Sequence, residues 1–418
     1  MVEAPIASQQ SAAAPAPIVR SRTLMLVCGG LLASYLWLAL TSWAQGHFLM
    51  GAGHGTVGYD FSCFWGAGKL ALQGSAASAY DWSTLKQLLD QELAFDQDPL
   101  QPAVPFFYPP IFFLVLAPLA LLPFPAAVAA WAGIKLAAYM AAIRAILPGA
   151  TATMTALAAP VVIIDLWIGQ NGLLTAALLG GALATLDRRP LVSGVLIGLL
   201  VYKPHFGVLL PLILAITGRW RVFGSAAATV IVLIGITGTI FGWDVFAVAA
   251  QAMMSANRYH LVDGDTPWFK LQTVYGALRA AGLGSAPAWS AHIAVAGAAT
   301  AATAWIWRGE ACYALKAASL STAALLLPPY LAIYDLPILA VPMAFLVRDA
   351  LEAGLQRWHT LALTLALTGI FMLEYAFPEA NEPVGPIAFV TLAAIIAARL
   401  AARLSAGDPP VQRHLAPS

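Results

Sequence analysis

The residue whose type and setting best suit chemistry is Asp60, one carboxylate among aromatic residues and glycines in the segment GYDFSCFWGAGKLALQG. Partial removal from water raises the pKa of a carboxyl group and lets it act as a general base near neutral pH. The alternative is an N-cap, because Asp60 precedes a plausible amphipathic helix and Asp is a favoured capping residue. For an isolated Asp the cap is the commoner role, so the rest of the chain has to decide.

Other polar side chains interrupt or border the apolar runs farther along the chain. Such groups are costly at membrane depth, so each is a candidate for binding or catalysis. The topology derived below places them on the same side of the membrane as Asp60, where a group of cations indicates an anionic partner. These polar candidates are Gln170, Asn171, Lys203, His205, Arg258, His260, Lys270 and Asp335.

Each cation also has a simpler explanation. Lys203 can snorkel from a helix end towards the membrane surface, and His205 can be a core histidine with satisfied hydrogen bonds. Arg258 and His260 can lie on the solvated face of a surface helix, and Lys270 is a weaker candidate. The sequence leaves both interpretations open for these residues.

The uncharged and acidic candidates have structural alternatives as well. Gln170 and Asn171 can satisfy the backbone groups of a tight turn. Asp335 can be an N-cap, since it precedes Leu336-Pro337 and proline is favoured in the first turn of a helix.

The composition indicates the class of protein. Of 418 residues, 60% are hydrophobic and only 10% are charged, against about 25% charged residues in soluble proteins. With a mean hydropathy of +0.78, the chain is predicted to be an all-α polytopic membrane protein. The net charge of +1 is uninformative about partners, and no basic face suggests nucleic acid.

Missing motifs exclude several kinds of active site. The cysteines Cys28, Cys63 and Cys312 are scattered without C-x-x-C spacing, so neither a disulfide framework nor a structural metal site is expected. The sequence also lacks a P-loop, a G-x-S-x-G motif and an H-E-x-x-H motif. We therefore expect no ATPase within this chain and no cofactor.

Lysine and arginine indicate which turns face the cytoplasm, because short cytoplasmic loops carry an excess of both. Basic turns occur at 187–189, 218–221, 307–316 and 348–357, and further arginines flank the first and last apolar runs. The turn 374–382 has three glutamates and no base, so we place it outside. The first helix then runs outward, which puts Asp60 on the outer face.

Consistent sidedness determines the predicted number of spans. Apolar runs at about 110–122, 124–146 and 153–168 lie between Asp60 and Gln170, where sidedness allows only two spans. The first run is the shortest and contains prolines, so we assign it as interfacial or re-entrant. The count becomes about 12 transmembrane helices, with both termini cytoplasmic.

The predicted organisation is one large membrane domain with short tails. Residues 1–22 are expected to be a disordered cytoplasmic N-terminus, 23–404 the transmembrane domain and 405–418 a cytoplasmic tail. Outer loops span about 45–124 and 243–285. Amphipathic helices on the bilayer surface are predicted at Asp60–Gln73 and Asp81–Leu93.

A series of short motifs runs through residues 58–345. They are Asp60-Phe61, Phe64-Trp65-x-Ala67-Gly68, Leu72-x-Gly74, Tyr80-Asp81, Phe107-Tyr108-Pro109-Pro110, Gly169-Gln170-Asn171, Gly194-x-x-x-Gly198-Leu199, Lys203-Pro204 and Gly218-Arg219-Trp220-Arg221. In order and spacing they resemble glycosyltransferase family 87. That family belongs to the GT-C membrane glycosyltransferases, which use polyprenyl-phosphate sugars as donors, and includes the mycobacterial phosphatidylinositol-mannoside mannosyltransferases.

The resemblance implies a GT-C fold and a role for each candidate residue. Asp60 matches the family's catalytic Asp and Lys203 its Lys-Pro motif, whereas Tyr334-Asp335 replaces a His-bearing loop of the mycobacterial members. Mannose therefore does not follow as the sugar. The residues expected to bind the donor phosphate are Lys203, His205, Arg258, His260 and Lys270. Those expected to bind sugar or acceptor are Tyr59, Tyr108, Gln170, Asn171, Tyr334 and Asp335.

The implied reaction is inverting transfer of a sugar, mannose or another hexose or pentose, to a hydroxyl of an envelope lipid or glycan. It is expected on the periplasmic face of a bacterial inner membrane, with Asp60 as general base and the lipid phosphate as leaving group. The scheme requires no metal. Two other classes stay open: a secondary transporter or flippase for an amphipathic lipid or sugar, and a structural subunit without catalysis.

Overall fold

A computed structural model describes residues 21–49, 56–93, 105–262, 268–353, 383 and 385–406. Within these residues the protein is helical, and its β-structure is limited to isolated bridges between Leu49 and Val57 and between Leu271 and Ala332. Most of the two predicted tails and the whole acidic turn at 374–382 lie outside the described residues.

The described part of the chain contains seventeen α-helices in the following order. The first eight are α1 (Ser21–Ala44), α2 (Tyr59–Leu72), α3 (Trp82–Leu93), α4 (Phe113–Ala120), α5 (Phe124–Ile146), α6 (Ala150–Ala158), α7 (Pro160–Ile168) and α8 (Gly172–Thr185). The others are α9 (Pro190–Leu199), α10 (Leu209–Ile216), α11 (Trp220–Phe241), α12 (Asp244–Asn257), α13 (Val274–Ala280), α14 (Ser285–Arg308), α15 (Tyr313–Leu326), α16 (Ala340–Ala353) and α17 (Gly385–Ala406).

Among the described residues, four helices are long and apolar enough to cross a membrane: α1, α5, α11 and most of α17. The pair α6 and α7, bent by 56° at Pro160, adds a fifth if it is one span. The predicted count of about 12 is not confirmed. Several apolar runs form helices that are too short, such as the 10-residue α9, whose length of about 15 Å is half the hydrocarbon thickness.

The predicted surface helix at Asp60–Gln73 exists as α2 but lies inside the protein. Ten of its fourteen residues are buried, and it packs against α4 and α3. Its aromatic side chains account for this position, because Phe61, Phe64 and Trp65 all join the main hydrophobic core. The amphipathic pattern of α3 has the expected effect, since Leu85, Leu89 and Leu93 are its buried residues.

Helix α8 occupies the middle of the described helices. It packs on α5 and α9 and also contacts the 3-10 helix Ile333–Leu339. Its sequence GLLTAALLGGALAT is rich in Gly, Ala and Thr, which allow neighbouring helices to approach closely. Helix α8 therefore meets α5, α7 and the 3-10 helix, the turn before α8 reaches α2 through Gly169 and Gln170, and the candidate site lies there.

Candidate functional site

Asp60 is the second residue of α2, and its side chain does not cap that helix. The N-cap position is occupied by Gly58, whose φ of 80° is left-handed, and no side chain caps the helix there. The capping interpretation of Asp60 is therefore wrong. Its half-buried carboxylate instead accepts a hydrogen bond of 2.9 Å from Nε2 of Gln170.

The turn that carries Gln170 reaches α2 because Gly169 ends α7 in a left-handed conformation, with φ of 80°. A Cβ at Gly169 would lie 2.5 Å from the Cβ of Phe61, so a larger residue would push the turn away from α2. Two hydrogen bonds hold it close. The indole of Trp131 donates to the carbonyl of Gly169 at 2.9 Å, and the backbone N–H of Gly58 donates to Trp167 at 2.7 Å.

Tyr108 extends the hydrogen-bonded group around Asp60. Its hydroxyl donates to Oε1 of Gln170 at 3.3 Å, and its carbonyl accepts from the hydroxyl of Tyr80 at 2.7 Å. The ring of Phe64 packs edge-on against Tyr108 at 5.0 Å. The amide of Gln170 is thereby oriented with its nitrogen towards Asp60. Tyr59 lies beside Asp60 and packs against the same core.

A second group begins one residue later, at Asn171. Nζ of Lys203 donates to Oδ1 of Asn171 at 2.7 Å and forms an ion pair with Asp335. The side chains of Lys203 and Asp335 are 4% and 0% exposed, so the snorkelling interpretation of Lys203 is wrong. Asp335 is also not an N-cap: it is the third residue of its 3-10 helix and accepts from the N–H of the N-cap, Ala332, at 3.1 Å.

Tyr334 joins this second group through its ring and its backbone. Its ring centre lies 5.2 Å from Nζ of Lys203, within the range of cation–π attraction. Its hydroxyl shares a hydrogen bond of 3.0 Å with that of Tyr330. Its carbonyl oxygen packs on Gly172, where any Cβ would overlap it. A glycine at this position thus permits α8 to approach the 3-10 helix.

The predicted histidines differ in their surroundings. The ring of His205 packs on that of Phe206, tilted by 48° with the ring centres 4.4 Å apart, and its Nε2 is buried without a hydrogen-bond partner among the described residues. The interpretation of His205 as a satisfied core histidine is therefore wrong. The half-buried ring of His260 lies 4.5 Å from Tyr330 and 5.7 Å from Phe107. Desolvation lowers the pKa of His260 to about 4, so it is neutral at pH 7.

The remaining cations are exposed. Arg258 begins the π-helical turn Arg258–Val262 that also carries His260, and Lys270 ends the 3-10 helix Trp268–Lys270. The charge of Lys270 acts on Asp60 and lowers the pKa of that carboxyl group. This places Lys270 on the side of the molecule where Asp60 lies.

The environment of Asp60 suits a general base. Desolvation by burial raises its pKa from 3.8 to about 6. The hydrogen bond from Gln170 and the charge of Lys270 oppose this rise, Asp165 adds to it, and Lys135 opposes it less strongly. The group is therefore ionised at neutral pH but basic enough to accept a proton from a hydroxyl in a transition state.

Two charged residues were not identified from the sequence, Lys135 in α5 and Asp165 in α7. They form a fully buried ion pair directly below the turn that carries Gln170. The sequence contained a signal, because Asp165 is the only charge in its apolar run and Lys135 lies in the middle of a run whose other charge, Arg144, is near the end. Charges in such runs are functional candidates. Within the described ranges, no group of three or more His, Cys, Asp or Glu side chains is arranged to hold a metal.

Comparison with known families identifies the chain's relationship. Residues 106–329 match the sequence profile of glycosyltransferase family 87, which is just over half of the 418 residues. The chain belongs to glycosyltransferase family 87. No curated protein and no solved structure matches it significantly.

Membership of family 87 confirms the resemblance drawn from the motifs and makes the chain a glycosyltransferase with membrane helices. The matched segment contains Tyr108, the Gln170-Asn171 turn and Lys203. Asp60 precedes that segment and Asp335 follows it. The roles of the site residues in this family 87 chain therefore rest on geometry and are proposed below.

Proposed function

We propose that this chain transfers a sugar from a polyprenyl-phosphate donor to a hydroxyl group of an envelope lipid or glycan, with inversion at the anomeric carbon. The observation that carries the proposal is the half-buried Asp60, whose pKa of about 6 and hydrogen bond from Gln170 suit a general base. Family membership supplies the reaction class. We place the site on the periplasmic face of the inner membrane, opposite the arginine-rich turns.

In the proposed reaction, the carboxylate of Asp60 takes the proton of the acceptor hydroxyl as its oxygen attacks the anomeric carbon. The bond between that carbon and the phosphate oxygen breaks, and polyprenyl phosphate leaves with the bonding electron pair. The leaving group is already an anion of low basicity, so it needs electrostatic stabilisation and no proton. One base and nearby cations are sufficient for this step.

The surroundings of the predicted cations refine the roles proposed for them. Lys203 is buried and already paired with Asp335, so its charge is largely compensated. Lys270 is exposed and acts electrostatically on Asp60. We therefore propose Lys270, with Arg258 on the neighbouring π-helical turn, as the main contacts of the donor phosphate. Phosphate contacts by Lys203, His205 and His260 stay predictions.

The aromatic residues near the two polar groups can form a platform for the sugar. Tyr108, Tyr330 and Tyr334 are half-buried and lie around the Gln170-Asn171 turn and Lys203. Aromatic rings offer apolar faces, while their hydroxyl groups hydrogen-bond to polar partners. We propose that these tyrosines and Tyr59 contact the transferred sugar or the acceptor.

The test uses the purified chain in detergent with polyprenyl-phosphate sugars of several kinds and an extract of envelope lipids as acceptor. Release of polyprenyl phosphate, together with a new glycosylated lipid detected by mass spectrometry, is the expected result. Vesicle flux assays with the same donors provide the comparison with transport. Movement of the donor across vesicles without cleavage would contradict the proposal and favour a flippase.

A further inference from the structure

We propose that Lys135 and Asp165 are positioning residues for Asp60, acting through the backbone of Gln170. The inference deepens the proposed function and rests on it, since it concerns the geometry of the same general base. Neither side chain is accessible: both are 0% exposed. They therefore cannot contact substrate and must act through the residues that they hold.

Lys135 uses all three of its ammonium protons on one turn of the chain. Nζ donates to Oδ1 of Asp165 at 2.5 Å, to the backbone carbonyl of Asp165 at 2.8 Å and to the backbone carbonyl of Gln170 at 2.5 Å. A lysine ammonium group has three donors and no more. All three donors of the cation therefore bind the end of α7 and Gln170, the residue whose side chain contacts Asp60.

Asp165 closes the same turn from the other side. Its backbone carbonyl accepts from the N–H groups of Gly169 and Gln170 at 3.0 and 3.1 Å, and Oδ2 accepts from the N–H of Leu173 at 3.3 Å. Leu173 lies in the first turn of α8, where a carboxylate also interacts favourably with the helix dipole. The residues between α7 and α8 are therefore fixed at both ends by one ion pair.

This arrangement fixes the position of the amide group that contacts the base. Gln170 has a backbone carbonyl bound to Lys135 and a side-chain nitrogen bound to Asp60. Misplacement of a catalytic group by about 1 Å can cost about 100-fold in rate. Loss of the pair should therefore lower turnover by roughly 10- to 100-fold without removing any group that touches substrate.

The pair also acts on Asp60 electrostatically, and its two members act in opposite directions. The negative charge of Asp165 raises the pKa of Asp60, and the positive charge of Lys135 lowers it. Among the described residues, Lys270 is a further charge that acts on Asp60, while Cys63 on the same helix is neutral, because burial raises the pKa of its thiol. Asp165→Asn should thus move the acidic limb of the pH–rate profile to lower pH, and Lys135→Met should move it to higher pH.

The principal test variant is Lys135→Met with Asp165→Asn, which removes both charges and leaves neither partner unpaired in the interior. We expect kcat to fall roughly 10- to 100-fold, with the donor KM near the wild-type value. Combination with Gln170→Ala should add little further loss, because the pair acts through that residue. The control is Arg399→Met with Asp349→Asn, which disrupts another buried ion pair and should leave kcat unchanged.

Unchanged kcat in the double variant, or effects that add fully to those of Gln170→Ala, would overturn the inference. Acidic limbs that stay at the wild-type pH in both single variants would overturn the electrostatic part of it. Asp60→Asn, measured in parallel, separates this failure from failure of the proposed function. Wild-type transfer by that variant would refute Asp60 as the base, whatever the pair does.

Discussion

Lys203→Met removes the cation of a buried ion pair and leaves the carboxylate of Asp335 without its charged partner. That carboxylate is 0% exposed and, within the part of the chain that the structure describes, keeps the N–H of Ala332 as its hydrogen-bond donor. Removing one partner of a buried pair typically costs about 3–5 kcal/mol. The substitution should also free Oδ1 of Asn171 and remove the charge above the ring of Tyr334.

The expected loss can be measured as a shift in thermal unfolding. With an unfolding entropy of about 2 cal/mol/K per residue and 418 residues, a loss of 3–5 kcal/mol lowers the melting temperature by roughly 3–6 °C. The assay is fluorescence-monitored unfolding of wild-type and variant protein in one detergent. Lys203→Met combined with Asp335→Asn should recover part of the loss, because no buried charge is then left unpaired.

The same variant distinguishes the pairing role from the phosphate-binding role predicted for Lys203. If the lysine mainly binds the donor phosphate, Lys203→Met should unfold at the wild-type temperature and show a donor KM raised by about 10-fold or more, since a charge-assisted hydrogen bond is worth about 1.5–3 kcal/mol. That outcome would refute the argument that the charge of Lys203 is compensated by Asp335.

Three further predictions concern the phosphate contact, the packing of α8 and the topology. The transfer rate should fall below about pH 6 as Asp60 is protonated. Lys270→Ala should shift this acidic limb of the pH–rate profile to higher pH and raise the donor KM. A limb that stays at the wild-type pH would contradict the electrostatic coupling of Lys270 to Asp60. Gly172→Ala should lower the melting temperature, because the new Cβ would overlap the carbonyl oxygen of Tyr334 and overpacking costs about 1–3 kcal/mol. A wild-type melting temperature would contradict the close approach of α8 to the 3-10 helix. In a cysteine-free background, a cysteine at exposed Asp81 should react with an impermeant reagent from the periplasm, and one at exposed Arg188 only after lysis; the reverse pattern would invert the assigned topology.

The sequence predicted the helical class and the family, and it named Gln170 and Tyr108, whose side chains form one hydrogen-bonded group with Asp60. Hydropathy is a property of local composition, so the helical membrane character was readable, and α3 begins within one residue of its predicted start. The motif order identified the family because it depends on spacing along the chain. The number of spans could not be predicted, since the sequence of an apolar run does not show whether a proline bends the helix or how deeply the helix enters the membrane.

The errors at individual residues arose where long-range contacts decide the outcome. The N-cap alternative for Asp60 failed because Gly58 takes the N-cap position and Gln170, 110 residues away, binds the carboxylate. Lys203 and Asp335 are 132 residues apart, so no local pattern could show their pairing. Lys135 and Asp165 were visible as charges within apolar runs, but the topology argument gave no reason to expect that they form an ion pair.

The most direct test of the account is the transfer rate of Asp60→Asn at pH 7.5. The variant keeps the size of the side chain and an oxygen that can accept from Gln170, and removes only the basic carboxylate. Asp81→Asn is the matched control, because Asp81 is an exposed carboxylate in the same segment between α1 and α4, and among the described residues its side chain bonds to nearby Ser83 and Thr84. Asp60→Asn should unfold at or above the wild-type temperature, since burial disfavours the ionised carboxyl.

With the donor saturating and the acceptor constant, we expect transfer by Asp60→Asn to fall by roughly 100- to 10,000-fold, the usual contribution of a general base. Donor binding should persist, and Asp81→Asn should transfer at the wild-type rate. Transfer by Asp60→Asn within a few fold of wild type would contradict the central claim that this carboxylate is the base.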